Sequence, residues 1–507
     1  MYPVSMIDMI RNRMLRSVIK EIVMSTDRRL WLAFAAALAA TLMDLLDSTI
    51  ANVAAPFIRH DLGGSYADVQ WISAAYTLAM AVMLLTGGRL GDMFGRKRML
   101  LIGAFGFTIA SIACAAAPST GALIAFRAMQ GGLGAVMVPQ VFGLIRDLFP
   151  PQEMGKAFGI LGPACGLSAI LGPVVSGVLI DADLFATGWR MIFLVNVPVG
   201  VFVLVAGAKY LPNGAPATAS RRLDLASVAL AAVAAFGLVY PLVQGRELGW
   251  PSWVLAMLVA AVANLGAFAW LQVRRGRSGA TPLIEPGIFA KRSYVSGVVF
   301  ALVFLAAMGG IGLTLGVFLQ AGLGYSPIHA ALTTAPFALG GFVGSGAGSM
   351  LMHKVGRTVM QAGLVVMGLG LLALYAAVEH AGTAVDSVDF VAPLLVSGIG
   401  MGMVWVPMFE IIVGDVADHE VGSASGVLQA VQQLGMSLGV AGIGAVFFGA
   451  LGTYADHTRD FLEAAQQTTL ITAVLVALAA ALGFLLPKRA RSGGGEWAAA
   501  EPEPALA

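Results

Sequence analysis

Fourteen mainly apolar stretches of about 20 residues follow one another along the chain, each long enough as a helix to cross the ~30 Å hydrocarbon layer of a bilayer. They lie near 31–57, 69–88, 99–117, 121–142, 155–180, 191–211, 223–243, 252–273, 294–319, 327–352, 359–378, 390–413, 421–450 and 467–486. No other feature constrains the fold as strongly. An open strand cannot satisfy its backbone polar groups in lipid, so these stretches read as helices. Composition agrees. Charged residues are 11% of the chain and hydrophobic ones 58%, whereas a soluble domain carries roughly 25% charged residues. A soluble body of 507 residues would lack polar cover. The 63 glycines suit helices that must approach closely, because packing drives association inside lipid. The sequence therefore predicts an all-α polytopic membrane protein with 14 transmembrane helices.

Positive charge gives the expected orientation. With the N-terminus in the cytoplasm, only Arg59, Arg190, Arg246 and Arg459 fall in outer loops, and Arg127 falls inside a span. The remaining Lys and Arg lie on the cytoplasmic side, as the positive-inside rule requires. Both termini come out cytoplasmic, in the cell (cytoplasmic or inner) membrane. Arg11, Arg13, Arg16, Lys20, Arg28 and Arg29 precede the first span without the short apolar core and small-residue cleavage site of a signal peptide. Residues 4–23 read either as an amphipathic surface helix or as an extension ahead of a start at Met24. The tail beyond Lys488 is rich in Gly, Ala, Pro and Glu and reads as disordered. Cys114 and Cys165 read as small buried hydrophobes. No basic patch interleaved with aromatics is present, so nucleic acid is not an expected partner.

An internal echo divides the chain. Gly88-Arg-Leu-Gly-Asp92-Met-Phe-Gly95-Arg96 follows the second span, and Gly348-Ser-Met-Leu-Met-His353-Lys-Val-Gly356-Arg357 follows the tenth. Two six-helix bundles with two inserted helices between them would produce this, with substrate bound between the halves. The expected domains are a cytoplasmic N-terminal segment (1–30), an N-terminal bundle (31–211), a linker with the inserted pair (212–293), a C-terminal bundle (294–486) and the tail (487–507).

Charges inside spans are costly, about 2.5–3.5 kcal/mol for an Asp at a helix centre on the translocon scale. The first span holds Asp44 and Asp47, on one helix face; the fourth holds Arg127 and the twelfth Glu410. Asp47 and Arg127 read either as a coupling pair or as a pair that fixes helix packing. Asp44 and Glu410 are the expected proton carriers and substrate contacts. Gly88, Asp92, Gly95 and Arg96 mark an expected tight cytoplasmic loop, with Asp92 facing a helix N-terminus or a cation. In the fifth span Pro163 and Pro173 interrupt helix hydrogen bonding. Ala164, Ser168, Gly172 and Ser176 form a small-residue stripe, with Gly177 beside it.

Together these residues resemble the fourteen-helix drug:proton antiporter branch of the major facilitator superfamily, the multidrug efflux type. The resemblance covers about residues 30–486. It rests on Asp47-Ser-Thr-Ile-Ala-Asn-Val-Ala-Ala-Pro56, on the loop Gly88–Lys97, on Arg127-Ala-Met-Gln130-Gly131-Gly-Leu-Gly134, and on the fifth span. Trp189-Arg190-Met-Ile-Phe-Leu-Val-Asn196-Val-Pro198 and Gly422-Ser-Ala-Ser-Gly426 with Gln433-Leu-Gly435 add to it. Departures are Ser168 and Ser176 where Gly is more usual, and His353 where Asp is often found in the second loop copy. The resemblance implies alternating access, with Asp47, Arg127, Asp44 and Glu410 in proton coupling. It implies gating by Gly88, Asp92, Gly95, Arg96, Gly172, Pro173 and Gly177. The expected partners are a small-molecule substrate, protons and the lipid bilayer, with a monomer as the working unit and no cofactor or metal. Lipophilic, cationic drugs or toxic compounds are the expected cargo. The alternative is dedicated export of one endogenous lipid, siderophore or metabolite.

An enzyme is the remaining rival. Gly435-Met-Ser437-Leu-Gly439 matches a nucleophile-elbow pattern, but that pattern needs a strand-to-helix turn and here it lies in an apolar span, where it suits helix packing. No phosphate-binding Gly-rich Lys-Ser/Thr loop is present.

Overall fold

The computed structural model describes the backbone of residues 6–150, 153–213, 224–278, 283–285, 287–414, 416, 420–451 and 458–487. The C-terminal tail expected to be disordered lies outside these residues. The described residues are almost entirely helical. Helices α1 (Met6–Leu62), α2 (Tyr66–Phe94), α3 (Arg96–Ala115), α4 (Thr120–Leu148) and α5 (Met154–Asp181) lead into the short α6 (Met191–Leu194) and α7 (Asn196–Tyr210). Then follow α8 (Leu225–Gln244), α9 (Ser252–Arg277), the single turn α10 (Gly287–Ala290), α11 (Arg292–Val317) with a π-helical extension to Gly322, and α12 (Pro327–Val355). Helices α13 (Thr358–Ala381), α14 (Ser387–Val413), α15 (Val421–Leu451) and α16 (Thr458–Gly483) complete the fold. The face carrying the α1–α2 turn is called the upper face below, and the face carrying the α2–α3 turn the lower face.

Each of the fourteen predicted stretches falls on helix, but among the described residues 12 helical spans are long and apolar enough to cross a membrane. The other two stretches are α5, where only Leu171–Asp181 reads as a shorter apolar helix, and α12. Helix α12 is rich in Gly, Ser and Thr, which dilutes its apolarity and tightens its packing. In α12, Gly340, Gly344 and Gly348 recur every fourth residue, so they share one face. A Cβ on Gly344 would lie 2.1 Å from the Ile399 carbonyl oxygen of α14, and one on Gly340 2.3 Å from that of Leu395. In the first half, a Cβ on Gly131 of α4 would meet the Tyr76 carbonyl of α2 at 2.2 Å. The absence of side chains brings backbones together where lipid offers no hydrophobic drive.

Two apolar cores are drawn from residues 30–211 and one mainly from residues 268–486. A fourth spans both halves near the upper face. Helix α2 runs along α15. Tyr66 stacks on Phe448 (4.7 Å between centroids) near the upper face, the Ser437 hydroxyl donates to the Ala74 carbonyl (3.3 Å), and the Gln433 amide reaches Met80 Sδ (3.1 Å) lower down. Helix α5 meets α12 at the upper face, where the Ile328 N–H donates to Asp181 Oδ2 (3.3 Å). Helices α8 and α9 pack on each other, and α8 also packs on both α2 and α15.

Candidate functional site

A fully buried polar cluster sits inside the first half. Helix α1 brings Asp44 and Asp47 inward one turn apart; α4 brings Arg127 and Gln130, α3 Ser111, α2 Tyr76 and α7 Asn196. All seven side chains are buried. Arg127 Nη1 donates to Asp47 Oδ2 in an ion pair and to Gln130 Oε1 at 2.7 Å. Its Nε donates to the Ile72 carbonyl at 3.2 Å. The other Asp47 oxygen accepts from Gln130 Nε2 (2.9 Å) and Asn196 Nδ2 (2.6 Å). Ser111 Oγ accepts from the same two amides, at 2.9 and 3.3 Å. The guanidinium carbon lies 4.3 Å from the centroid of the Tyr76 ring. Burying an ion pair is expensive, several kcal/mol per ion, unless hydrogen bonds satisfy what the pair leaves open. Here both Asp47 oxygens are engaged.

Asp44 differs. It is buried, yet its described hydrogen bond is a single one, accepted from the Tyr76 hydroxyl at 2.5 Å, and it is in no ion pair among the described residues. A Cβ on Gly134 would lie 2.9 Å from its Oδ1, so a larger residue there would press on the carboxylate. Tyr76 thus joins the two acids: its hydroxyl holds Asp44, and its ring lies against the cation that holds Asp47.

Glu410 does not join this cluster. It was expected as a buried acid within a span, but α14 ends at Val413, with the Gly414 N–H donating to the Glu410 carbonyl. Glu410 therefore occupies the last turn in the other half and is exposed.

The loop motif also folds differently from expectation. Gly88 and Asp92 lie in α2, which continues to Phe94, and only Gly95 leaves the helical region, with φ 93°. Glycine at 91 admits the carboxamide of Gln140 from α4, whose Oε1 would lie 1.8 Å from an added Cβ. Gln140 Nε2 donates to the Gly87 (2.8 Å) and Val136 (2.9 Å) carbonyls. Arg96 Nη1 donates to both oxygens of Asp147 at the foot of α4 (2.9 and 3.1 Å). Its Nη2 is 3.8 Å from Asp92. Lys97 reaches the Leu211 carbonyl (2.8 Å). These ties hold α2, α3, α4 and the end of α7 together within one half.

Gly172 and Gly177 stand at the closest approaches of α5. A Cβ on Gly172 would lie 2.0 Å from Thr49 Oγ1 of α1, and one on Gly177 2.6 Å from Ile328 Cα of α12. Pro173 lies between them, half-buried, and Ser176 donates to the Ile50 carbonyl (3.2 Å). The stripe therefore faces both a helix of its own half and a helix of the other.

Known proteins place this arrangement. A probable actinorhodin transporter of Streptomyces coelicolor is 46% identical over 448 residues, 88% of this chain and 77% of that one. A puromycin resistance protein of Streptomyces alboniger is 36% identical, covering 91% and 90%. A multidrug resistance protein of Mycobacterium tuberculosis is 32% identical, covering 88% and 82%. Among solved structures, an auto-inhibited peptide transporter of the POT family superposes with a TM-score of 0.66 at 15% identity, over 90% of this chain and 96% of that one. That identity speaks to the fold alone. Residues 37–440 match the Major Facilitator Superfamily, and the chain is a multi-pass membrane transport protein of that superfamily.

Proposed function

We propose that this chain exports lipophilic, cationic drug- or antibiotic-like molecules in exchange for protons, by alternating access between two six-helix bundles. One observation carries the reading: two buried acids sit one helical turn apart, and among the described residues only one of them is in an ion pair. Asp47 is paired with Arg127 and held by Gln130 and Asn196, and serves as the fixed frame. Asp44 is the exchangeable site. Protonated, it is neutral and suits its dry surroundings; deprotonated, it is an anion with one hydroxyl donor. A cationic substrate supplies the missing charge, so proton and substrate compete for it, and each biases the rocking by its differential affinity. Tyr76 sits on α2, and α2 lies along α15, so a change at Asp44 has a short mechanical path to the other half. Gly172, Pro173 and Gly177 let α5 shift between α1 and α12. Gly88, Asp92, Gly95 and Arg96 hold the lower end of α2 to α3 and α4 while this happens. The names of the relatives support export and a drug-like cargo.

We read α5 and α12 as crossing the membrane as well, for fourteen spans in all, with the lower face and both termini in the cytoplasm of the inner membrane and a monomer as the working unit. A second reading, dedicated export of a single endogenous metabolite, is favoured by the relative named for one antibiotic. Everted vesicles loaded with an acidic interior decide between them. Lipophilic cations, aromatic polyketides and neutral drugs are added in turn, and a pH-sensitive dye follows the gradient. Collapse by many cations supports multidrug antiport. Collapse by one compound class alone supports the dedicated exporter, and no collapse by any compound from verified, folded protein contradicts proton exchange.

A further inference from the structure

Helix α8 leans against the upper halves of α2 and α4 and leaves a cleft of about 640 Å³ between them. Small residues such as Ala75, Ala79 and Ala128 form its floor, and Trp71, Phe236 and Tyr240 form an aromatic wall. Asp68 and Gln244, the polar lining residues, are both at its upper end. From Asp68 to Met83 the lining follows one face of α2, a length of about 22 Å at 1.5 Å per residue. One leaflet of hydrocarbon is about 15 Å deep, half of the ~30 Å core. The cleft is thus a slot with a polar mouth, an apolar length of about 18 Å from Trp71 to Met83 that spans one leaflet with a little to spare, and an opening toward the side of the bundle, where Phe236 is exposed.

One wall is α8 of the inserted pair, whose upper loop is tied to α2 by the Ala67 N–H donating to Glu247 Oε1 (3.2 Å), and the other is α2 and α4 of the first half. The lower end of α8 is tied through polar contacts to the start of α15. Asp224 pairs with Arg275 of α9, and Gln272 of α9 donates to Ser227 Oγ (2.6 Å). Gln272 Oε1 in turn accepts from the Leu283 and Ile284 N–H groups (3.0 and 3.2 Å). The Glu285 N–H then donates to Ser423 Oγ of α15 (3.0 Å). The α2 and α4 wall is fixed within the first half.

We infer that this cleft binds one acyl chain of a lipid in the outer leaflet; the choice of leaflet rests on the orientation proposed above. The inserted pair then supplies a lipid-filled seam along the first half.

Trp71 reports occupancy because it is only 8% exposed, whereas Trp253 and Trp270 are 51% and 60% exposed on α9. The full-length protein is reconstituted in phosphatidylcholine brominated at mid-chain and in the unbrominated lipid. The Trp71 emission is taken as the difference between wild type and Trp71→Phe. The expected result is at least twofold quenching of that component by the brominated lipid, lost when Ala128→Leu and Ala232→Leu fill the slot. Equal Trp71 emission in both lipids, with the α9 tryptophans quenched, overturns the proposal. Relief of the quenching by a transported cation overturns it too, since the slot would then be a substrate site. Should Trp71→Phe fail to fold, native mass spectrometry replaces it: one fewer retained phospholipid per chain in Ala128→Leu/Ala232→Leu than in wild type supports the site, and equal retention refutes it. Neither readout needs transport, so failure here and failure of the export reading are distinguishable.

Discussion

Replacing Asp47 by Asn removes the charge that Arg127 faces. In the native cluster the two Asp47 oxygens receive hydrogen bonds from Arg127, Gln130 and Asn196. An amide offers one acceptor and places two N–H donors among groups that are themselves donors. Arg127 keeps the Ile72 carbonyl and Gln130 Oε1 but loses its counter-ion at zero exposure. Breaking a buried pair in this way costs about 3–5 kcal/mol. Arg127→Met costs a similar amount, since it leaves the Asp47 anion with two amides. The double variant Asp47→Asn/Arg127→Met leaves no unpaired charge, so its loss falls well below the sum of the singles. Heat inactivation is followed in detergent with a thiol-reactive dye that reads exposure of the buried Cys114, in a Cys165→Ala background. A loss of ~3 kcal/mol appearing entirely in the unfolding rate shortens the half-life roughly 10²-fold. The double variant is expected within about tenfold of the longer-lived single. If instead the two half-life losses multiply, the pair is not a coupled buried unit, and the account of the site fails at its base.

Gly177→Val places side-chain atoms against the backbone of Ile328. It is expected to weaken closure at the upper face, seen as raised reactivity of a cysteine introduced at Ala330, while Gly121→Ala, where nothing lies nearby, leaves it unchanged. Gly91→Ala displaces the Gln140 carboxamide and is expected to destabilise the fold by about 1–3 kcal/mol, the cost of an unsatisfied buried group, measured by the same dye. At the upper face, the Trp189 indole N–H and the Arg190 guanidinium hold the Asp61 carboxyl below the usual carboxylate range. Its small, solvent-screened contribution is present above the ordinary value of 3.8 and is lost as pH falls through the lowered one. Asp61→Asn should therefore slightly shorten the half-life at pH 6, and the difference should shrink as the pH is taken progressively below 3.8.

The Asp47–Arg127 pair was legible in the sequence because charge inside an apolar run is rare and costly, and the two sit in quoted motifs. Tyr76, Ser111 and Gln140 were not legible. Neutral polar residues are common in spans, and no spacing rule says which of them turn inward toward a given acid. Gln130 and Asn196 stood within the motifs but gave no sign that both amides converge on one carboxylate oxygen. The end of the twelfth stretch at residue 413 matches the end of α14, but an apolar window does not show which face of that last turn is covered, and Glu410 proves exposed. An apolar window also put Gly88 and Asp92 in a loop, when the glycine at 91 serves the docking of Gln140 inside a continuing helix. Helices α5 and α12 were located correctly as apolar stretches, and in α12 the glycines serve packing and lower its apolarity, so it stands apart from the other spans.

The central claim is that Asp44, buried beside Tyr76 and in no ion pair among the described residues, is where proton and substrate compete. Asp44→Asn separates the two ligands. In reconstituted vesicles, exchange of labelled for unlabelled neutral substrate at equal pH does not need a proton, whereas uphill accumulation driven by a pH gradient does. The account predicts that Asp44→Asn retains neutral-substrate exchange within a fewfold of wild type and loses gradient-driven accumulation entirely. Gradient-driven accumulation at the wild-type level by Asp44→Asn would contradict it and move the proton site elsewhere in the chain.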